Sequence, residues 1–264
     1  MQCMKNIKIS IITIAYNSGK TIERTIESVV NQDYNNKEYI IIDGKSTDNT
    51  MDIVSKYSDR IDFVLSEKDK GISDAFNKGI ENSTGDLIVC INSDDYMMPH
   101  ALEYVAEHYE EGIDLFCGNL ILWNQDTDYK CRIEPSLKFP VPPFFCKPAH
   151  QGVFATKKIY KSLGGYDENI KYAMDLDFLI RATNVNAKFK HLDFDIAVFK
   201  LGGATSESIF KKGKEYIYIV RKNGGNWLQA FGFYAFLVIT QTTKKILQLS
   251  GLDIVRRLRY KKMT

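Results

Sequence analysis

Residues 86–99 read Asp-Leu-Ile-Val-Cys-Ile-Asn-Ser-Asp-Asp-Tyr-Met-Met-Pro, an apolar run that stops abruptly at Asn92, Ser93, Asp94 and Asp95. Adjacent carboxylates repel and are costly beside a low-dielectric core, so such a pair either lies in water or has a cation near it. Hard divalent ions that bridge phosphate oxygens use sparse carboxylate sites of this kind. Asp, Asn and Ser also favour turns and helix caps, so on these residues alone a solvated turn and a metal site both stand. Farther along, Met174-Asp175-Leu176-Asp177 opens a helical pattern in which Asp175 and Leu179 share a face. Asp177 then meets Arg181 at i+4 as a surface ion pair, and Asp175 suits the positive end of the helix dipole. His150-Gln151 offers a third polar pair, whose imidazole serves either as a structural hydrogen-bonder or as a substrate contact.

The elements that must position these groups alternate. Residues 8–15 are β-branched and apolar, as expected of a strand covered on both faces. Residues 21–32 space Ile22, Ile26, Val29 and Val30 as an amphipathic helix capped by Ser18. Strands over 38–43, 61–66 and 87–91 follow, separated by helices from Ser46-Thr47-Asp48 through 57 and over 71–80. This order implies an α/β fold with a mostly parallel sheet and ligands beyond the carboxyl ends of its strands. Four loops then converge on one edge: Thr13, Ala15, Tyr16 and Asn17; Asp43, Gly44, Lys45 and Ser46; Glu67, Asp69 and Gly71; and Asn92 to Asp95. That convergence favours a site over a solvated turn.

In the second half, residues 114–133 predict a hairpin turning at 124–128. Residues 135–148 hold five of the six prolines and read as an irregular arm whose Phe residues shape an acceptor pocket. Residues 188–200 suggest a strand pair, and 201–206 either a segment closing over a ligand or a plain loop.

Other classes are disfavoured. Gly19-Lys20-Thr21 resembles the end of a phosphate loop, but the glycine required five positions earlier is Ile14. No Gly-x-Gly-x-x-Gly follows the first strand, which argues against a dinucleotide oxidoreductase. The five cysteines include no Cys-x-x-Cys pair, which suits reduced thiols in the cytoplasm without zinc. The first residues lack the apolar core of a secretory signal, so no export is expected. Net charge is +2, yet residues 241–264 carry seven Lys and Arg against Asp253, or +6, leaving −4 for the remainder. Terminal positive charge suits an anionic surface better than a nucleic acid, and no nucleic-acid partner is expected. The fourteen residues 227–240 are too few to span a bilayer. Leu228, Phe231, Tyr234, Ala235 and Val238 fit either docking on the core or a helix lying on an anionic leaflet, peripheral to the inner face of the cell membrane.

Taken together, Ile12-Thr13-Ile14-Ala15-Tyr16-Asn17, Ile42-Asp43-Gly44-Lys45-Ser46-Thr47-Asp48-Asn49-Thr50, the 67–79 segment beginning Glu-Lys-Asp-Lys-Gly, and Asn92-Ser93-Asp94-Asp95 with Pro99 resemble family 2 glycosyltransferases. The resemblance spans about residues 7–205 and implies the GT-A nucleotide-diphospho-sugar transferase fold. It implies a catalytic domain over 1–205, with a nucleotide-sugar half over 7–98 and an acceptor half over 99–205, then a helical, basic extension over 206–264. It further implies that Thr13, Ala15 and Asn17 line the base and ribose, that Asp43 meets the uracil edge, and that Asp69 and Gly71 border the same pocket. Tyr16, Ser46, Asn92 and Ser93 belong to that donor site. In the family an Asp-x-Asp motif holds Mg²⁺ or Mn²⁺ on the diphosphate; here Asn92 takes its first place, so the metal falls to Asp94. The family's Gly-Gly-(Phe/Tyr)-Asp-Glu turn, here Gly164 to Glu168, precedes a Glu-Asp pair whose Asp is the general base. Asp175 is carried over as that base, with Met174 in place of the usual Glu. Asp95 reads either as a group supporting the metal site from behind or as an acceptor-side group, and His150, Gln151 and Met174 fall on the acceptor side. The implied function is inverting transfer of a sugar from a nucleotide diphosphate, UDP first, to a saccharide or lipid-linked acceptor in surface polysaccharide synthesis. The alternative is a catalytically impaired nucleotide-sugar-binding module.

Overall fold

The computed structural model describes residues 6–137, 150–201 and 209–249, apart from the side chains of 209–211 and 244–249. The Pro-rich arm over 138–149, the 202–206 segment and the basic end beyond 249 therefore lie outside the described residues, as do Cys3 and Cys146.

Strands β1 (Ile9–Ala15), β2 (Lys37–Asp43), β3 (Phe63–Ser66) and β4 (Leu87–Asn92) alternate with helices α1 (Ile22–Val30), α2 (Thr50–Ser55) and α3 (Ile72–Asn82). β1 pairs in parallel with β2 and β4, and β2 with β3. Then come β5 (Tyr96–Met97), α4 (Ala101–Glu107), β6 (Leu115–Asn124), β7 (Tyr129–Ile133), a 3₁₀ turn at His150–Gly152, β8 (Val153–Thr156), α5 (Lys157–Leu163), α6 (Met174–Asn184) and β9 (Phe189–Lys200). The described strands form one sheet in the order β3-β2-β1-β4-β8-β6-β9-β5, with β7 on β6. Two helices follow, α7 (Ile209–Lys222) and α8 (Trp227–Leu249).

Both faces of the sheet are covered, which is why its strands read as continuous apolar runs. Ile9, Ile11 and Ala15 of β1 pack with α1, α2 and α4 on one face. Ile12 packs on the other, among residues of α3, α5, α6, α7 and α8. The β6–β7 hairpin turns where expected, with Asn124 facing Tyr129 and the Asn124 side-chain carbonyl accepting from the Asp126 and Thr127 amides.

Three local expectations are corrected. Residues 189–200 form a single strand, because β9 stays paired with β6 throughout and absorbs its irregularity as register shifts around Asn119. Ser18 caps α1 through its backbone: its carbonyl accepts from the Thr21 and Ile22 amides, while its hydroxyl meets that of Ser93. The Asp177–Arg181 pair, 2.7 Å apart, is no surface bridge, since Asp177 is completely buried and also accepts from Lys222 at the end of α7 and from Asn223 just after it.

Candidate active site

Beyond the carboxyl ends of β1 and β4 lies a cleft of about 910 Å³. Ala15, Tyr16, Asn17, Asp69, Gly71, Asn92, Ser93, Asp94, His150, Met174 and Asp175 all line it. Residues 80 positions apart in sequence thus meet because β4 inserts beside β1 and α6 packs back over the same edge.

The loop after β1 is held from β2. Asn17 takes a left-handed backbone (φ 49°), which suits Asn. Its amide donates to Ser46 Oγ at 2.8 Å, and Ser46 Oγ donates to Asp43 Oδ1 at 2.5 Å. The Asn17 side-chain carbonyl accepts from the Thr47 amide. Asp43 is fully buried and also takes a hydrogen bond from Ser66 Oγ. Asp43 and Ser46 therefore brace Asn17 from behind the cleft and do not line it. Thr13 is likewise corrected: it points into the α1 face, fully buried, and its hydroxyl accepts from Tyr39. One residue on, Ile14 reaches the cleft in its place.

Gly44 permits the next contact. A side chain there would meet Asp69 Oδ2 at 2.4 Å, so the glycine admits the carboxylate. Asp69 Oδ1 accepts from the Gly71 amide, and Gly71 sits at φ 128°, a backbone closed to other residues. Burial raises the pKa of Asp69.

Asp94 and Asp95 part company at the end of β4. Asp94 faces the cleft; burial raises its pKa against the pull of the Lys200 and His150 charges. Asp95 is 1% exposed and turns inward, accepting from Asn92 Nδ2 (3.0 Å), Gln151 Nε2 (2.8 Å) and the Lys200 amide (2.9 Å). Burial first, then the neighbouring Asp94, pushes its pKa up to about 6. Asp95 thus takes the supporting place of its two expected ones, and neither it nor Gln151 lines the cleft. They tie β4, the 3₁₀ turn and the end of β9 together behind the cleft.

Asp175 stands at the start of α6, where Oδ1 accepts from the Leu176 amide and Oδ2 lies 3.7 Å from His150 Nδ1. His150 packs edge-on to Phe76, and among the described residues its Nε2 is buried without a hydrogen-bond partner, as is Gln151 Oε1. Buried polar atoms are rarely left so. From α7, Glu215 accepts from the Lys171 and Tyr172 amides at 3.0 and 2.9 Å, fixing the loop whose Tyr172 lines the cleft.

Lys20, Tyr172 and Lys200 also line the cleft without having been singled out as site residues. Lys20 enters by the turn after β1, without any phosphate-loop cradle; the only sequence signal for Lys200 is a cation at the end of a strand.

Among the described residues, no group of three His, Cys, Asp or Glu could hold a metal by itself. A single carboxylate such as Asp94 still fits a Mg²⁺-like ion, which binds through one or two carboxylates and takes its other ligands from water and substrate phosphate. The donor set thus fits a metal shared with a diphosphate and does not fit a closed protein site.

Comparison with known proteins agrees with this geometry. Over 199 residues the chain is 30% identical to the chondroitin synthase of Escherichia coli, covering 70% of this chain and 28% of that protein. It is 27% identical over 203 residues to the cholesterol galactosyltransferase of Borreliella burgdorferi, covering 73% and 55%. The chain thus spans between about a quarter and somewhat over half of the length of these relatives. Staphylococcus aureus TarS residues 1–349, solved with UDP-GlcNAc, superposes with a TM-score of 0.63 at 20% identity, covering 85% and 69% of the two chains. A mannosyltransferase of Pyrobaculum calidifontis, solved with GDP-Man and Mn²⁺, gives 0.61 at 15%, covering 86% and 70%. These likenesses establish the GT-A fold. The model of glycosyl transferase family 2 matches residues 10–162, more than half of the chain, and the chain belongs to that family.

Proposed function

We propose that the chain transfers one sugar, with inversion, from a nucleoside diphosphate to a hydroxyl of a saccharide or lipid-linked acceptor. The observation that carries this reading is that Asp94 and Asp175, from opposite halves of the chain, face one cleft. A sugar hydroxyl is a poor nucleophile, so a carboxylate must take its proton as the oxygen attacks the anomeric carbon. Asp175 does so, and the bond to the nucleoside diphosphate breaks with its electron pair leaving on phosphate oxygen. Lys20 and Lys200 bring positive charge to the cleft in which that anion forms. Mn²⁺ or Mg²⁺, held by Asp94 and the donor's own oxygens, would neutralise the departing diphosphate. A single displacement without a carboxylate nucleophile inverts the anomeric centre.

The family and the relatives' names support the substrate classes. UDP-GlcNAc bound to TarS favours UDP, GDP-Man with Mn²⁺ supports metal use, and the chondroitin and cholesterol enzymes point to saccharide and lipid acceptors. We place residues 7–98 on the donor side and 99–205 on the acceptor side, with the protein acting in the cytoplasm, at an anionic membrane surface, in surface polysaccharide synthesis. The product linkage, assigned by NMR, tests the reading: an α-linked donor gives a β-linked product, whereas retention removes Asp175 from this role. Donor binding without any turnover in the wild type would instead favour a binding module.

A further inference from the structure

Over residues 227–239 helix α8 is apolar almost all round, and the described residues cover only part of it. Ala230 and Phe233 are buried against the core, with Leu237 packed beside them. The other side exposes Trp227 (58%), Leu228 (83%), Phe231 (54%) and Ile239 (64%), and positions 228, 231, 235 and 239 share one stripe. A helix apolar all round is ordinarily covered all round, and an exposed patch of this kind marks a contact surface. Trp227 stacks on Phe231 and lies under the Arg221 guanidinium, 4.7 Å from its ring centroid. Among the described residues no helix is long and apolar enough to cross a membrane.

The charge around this face says what covers it. From Trp227 to Leu252 there is no Asp or Glu, while Lys244 and Lys245 lie on α8 and Arg256, Arg257, Arg259, Lys261 and Lys262 follow. The same face of a second copy carries no acid to meet these cations. We infer that the exposed side of α8 rests on an anionic lipid bilayer, its aromatic and aliphatic side chains in the headgroup boundary and the basic composition of the chain that follows favouring anionic lipid.

The geometry ties this surface to the cleft. Gly213 of α7 lets the two helices close, since a side chain there would strike the Tyr234 ring at 2.6 Å. Glu215 of α7 fixes the loop bearing Tyr172, and Lys222 at its end with the next residue, Asn223, holds Asp177 of α6. Docking α8 therefore sets the acceptor wall of the cleft relative to the bilayer, and the acceptor is a membrane-held, lipid-linked one. That last clause rests on the proposed transferase reading; the bilayer contact does not.

Cosedimentation of the full chain with phosphatidylcholine vesicles, with and without phosphatidylglycerol, tests the inference without any sugar nucleotide. The wild type binds the anionic vesicles, less so at high salt, and Leu228→Glu with Phe231→Glu lowers the binding about tenfold or more. Both residues lie outside the cleft, so UDP-sugar hydrolysis and melting temperature stay at wild-type values. Ile239→Glu provides a second variant should the double one fold poorly. Equal binding by the variants overturns the inference, as does a wild type that stays in the supernatant with both kinds of vesicle. A wild-type dimer that the variants turn into monomers, without vesicle binding, assigns the face to a second copy. Vesicle binding by a wild type that turns over no donor leaves the inference standing and sinks the transferase reading.

Discussion

The two ends of the parallel strands treat buried polar groups in opposite ways. At the amino ends, Glu38 is 8% exposed and fully engaged: Oε1 accepts from Lys8 Nζ and Thr84 Oγ1, and Oε2 from Ser10 Oγ and the Thr84 amide. Ser10 Oγ in turn accepts from the Gly85 amide. At the carboxyl ends, Asp94 and Asp175 face a cleft, and His150 Nε2 and Gln151 Oε1 are buried without partners among the described residues. A saturated network contributes stability, whereas unmatched groups cost it and persist where a ligand or reaction uses them. Chemistry and stability are thus assigned to different ends of one sheet.

Substitutions at the two ends should part accordingly. Apart from the general base, Asp94→Ala carries the largest expected effect, a loss of about 10²–10³ in metal-supported turnover, with melting temperature held; initial rates with Mn²⁺ check it. Asp177→Ala removes the partner of Arg181 and Lys222 from a fully buried position and should destabilise by about 3–5 kcal/mol, read from urea unfolding. Glu38→Gln strands donors at the amino end and should cost about 1–3 kcal/mol while leaving turnover unchanged. A variant at Glu38 that lost activity but not stability would break the comparison.

A pH series sharpens it. Despite burial, which alone would raise it, hydrogen bonds from Ser10, Thr84 and Lys8 bring the Glu38 pKa down to about 2 from an ordinary 4.5. A folded-state pKa below the unfolded one means the contribution is complete above about 4.5 and fades as pH falls toward 2. The stability gap between wild type and Glu38→Gln should therefore narrow over that interval, measured by melting temperature against pH. The smallest effect belongs to Glu215→Gln, which keeps one of two acceptors for the 171–172 amides: a few-fold loss in acceptor-dependent rate with UDP affinity unchanged.

How much of this was legible in the sequence follows from which forces are local. The parallel half was readable because both sheet faces are buried, which writes long apolar stretches into β1, β2 and β4. The convergence of Ala15, Asn17, Asp69, Asn92 and Asp94 followed from strand order alone. Depth did not: Thr13, Asp43 and Gln151 carry the same polar groups as cleft residues, but packing turns them behind it. Asp95 differs from Asp94 by one position, and only the partners brought by Gln151 and β9 show which carboxylate turns inward. Lys200 and Tyr172 reach the cleft through β9 and α7, contacts made between distant segments that no local spacing encodes.

Release of UDP from a panel of UDP-sugars with Mn²⁺, compared between wild type and Asp175→Asn, puts the central assignment to the test most directly. The assignment predicts metal-supported release in the wild type, a fall of about 10²–10⁴ in the variant, and UDP affinity and melting temperature that stay put. An Asp175→Asn protein that releases UDP at the wild-type rate would contradict it.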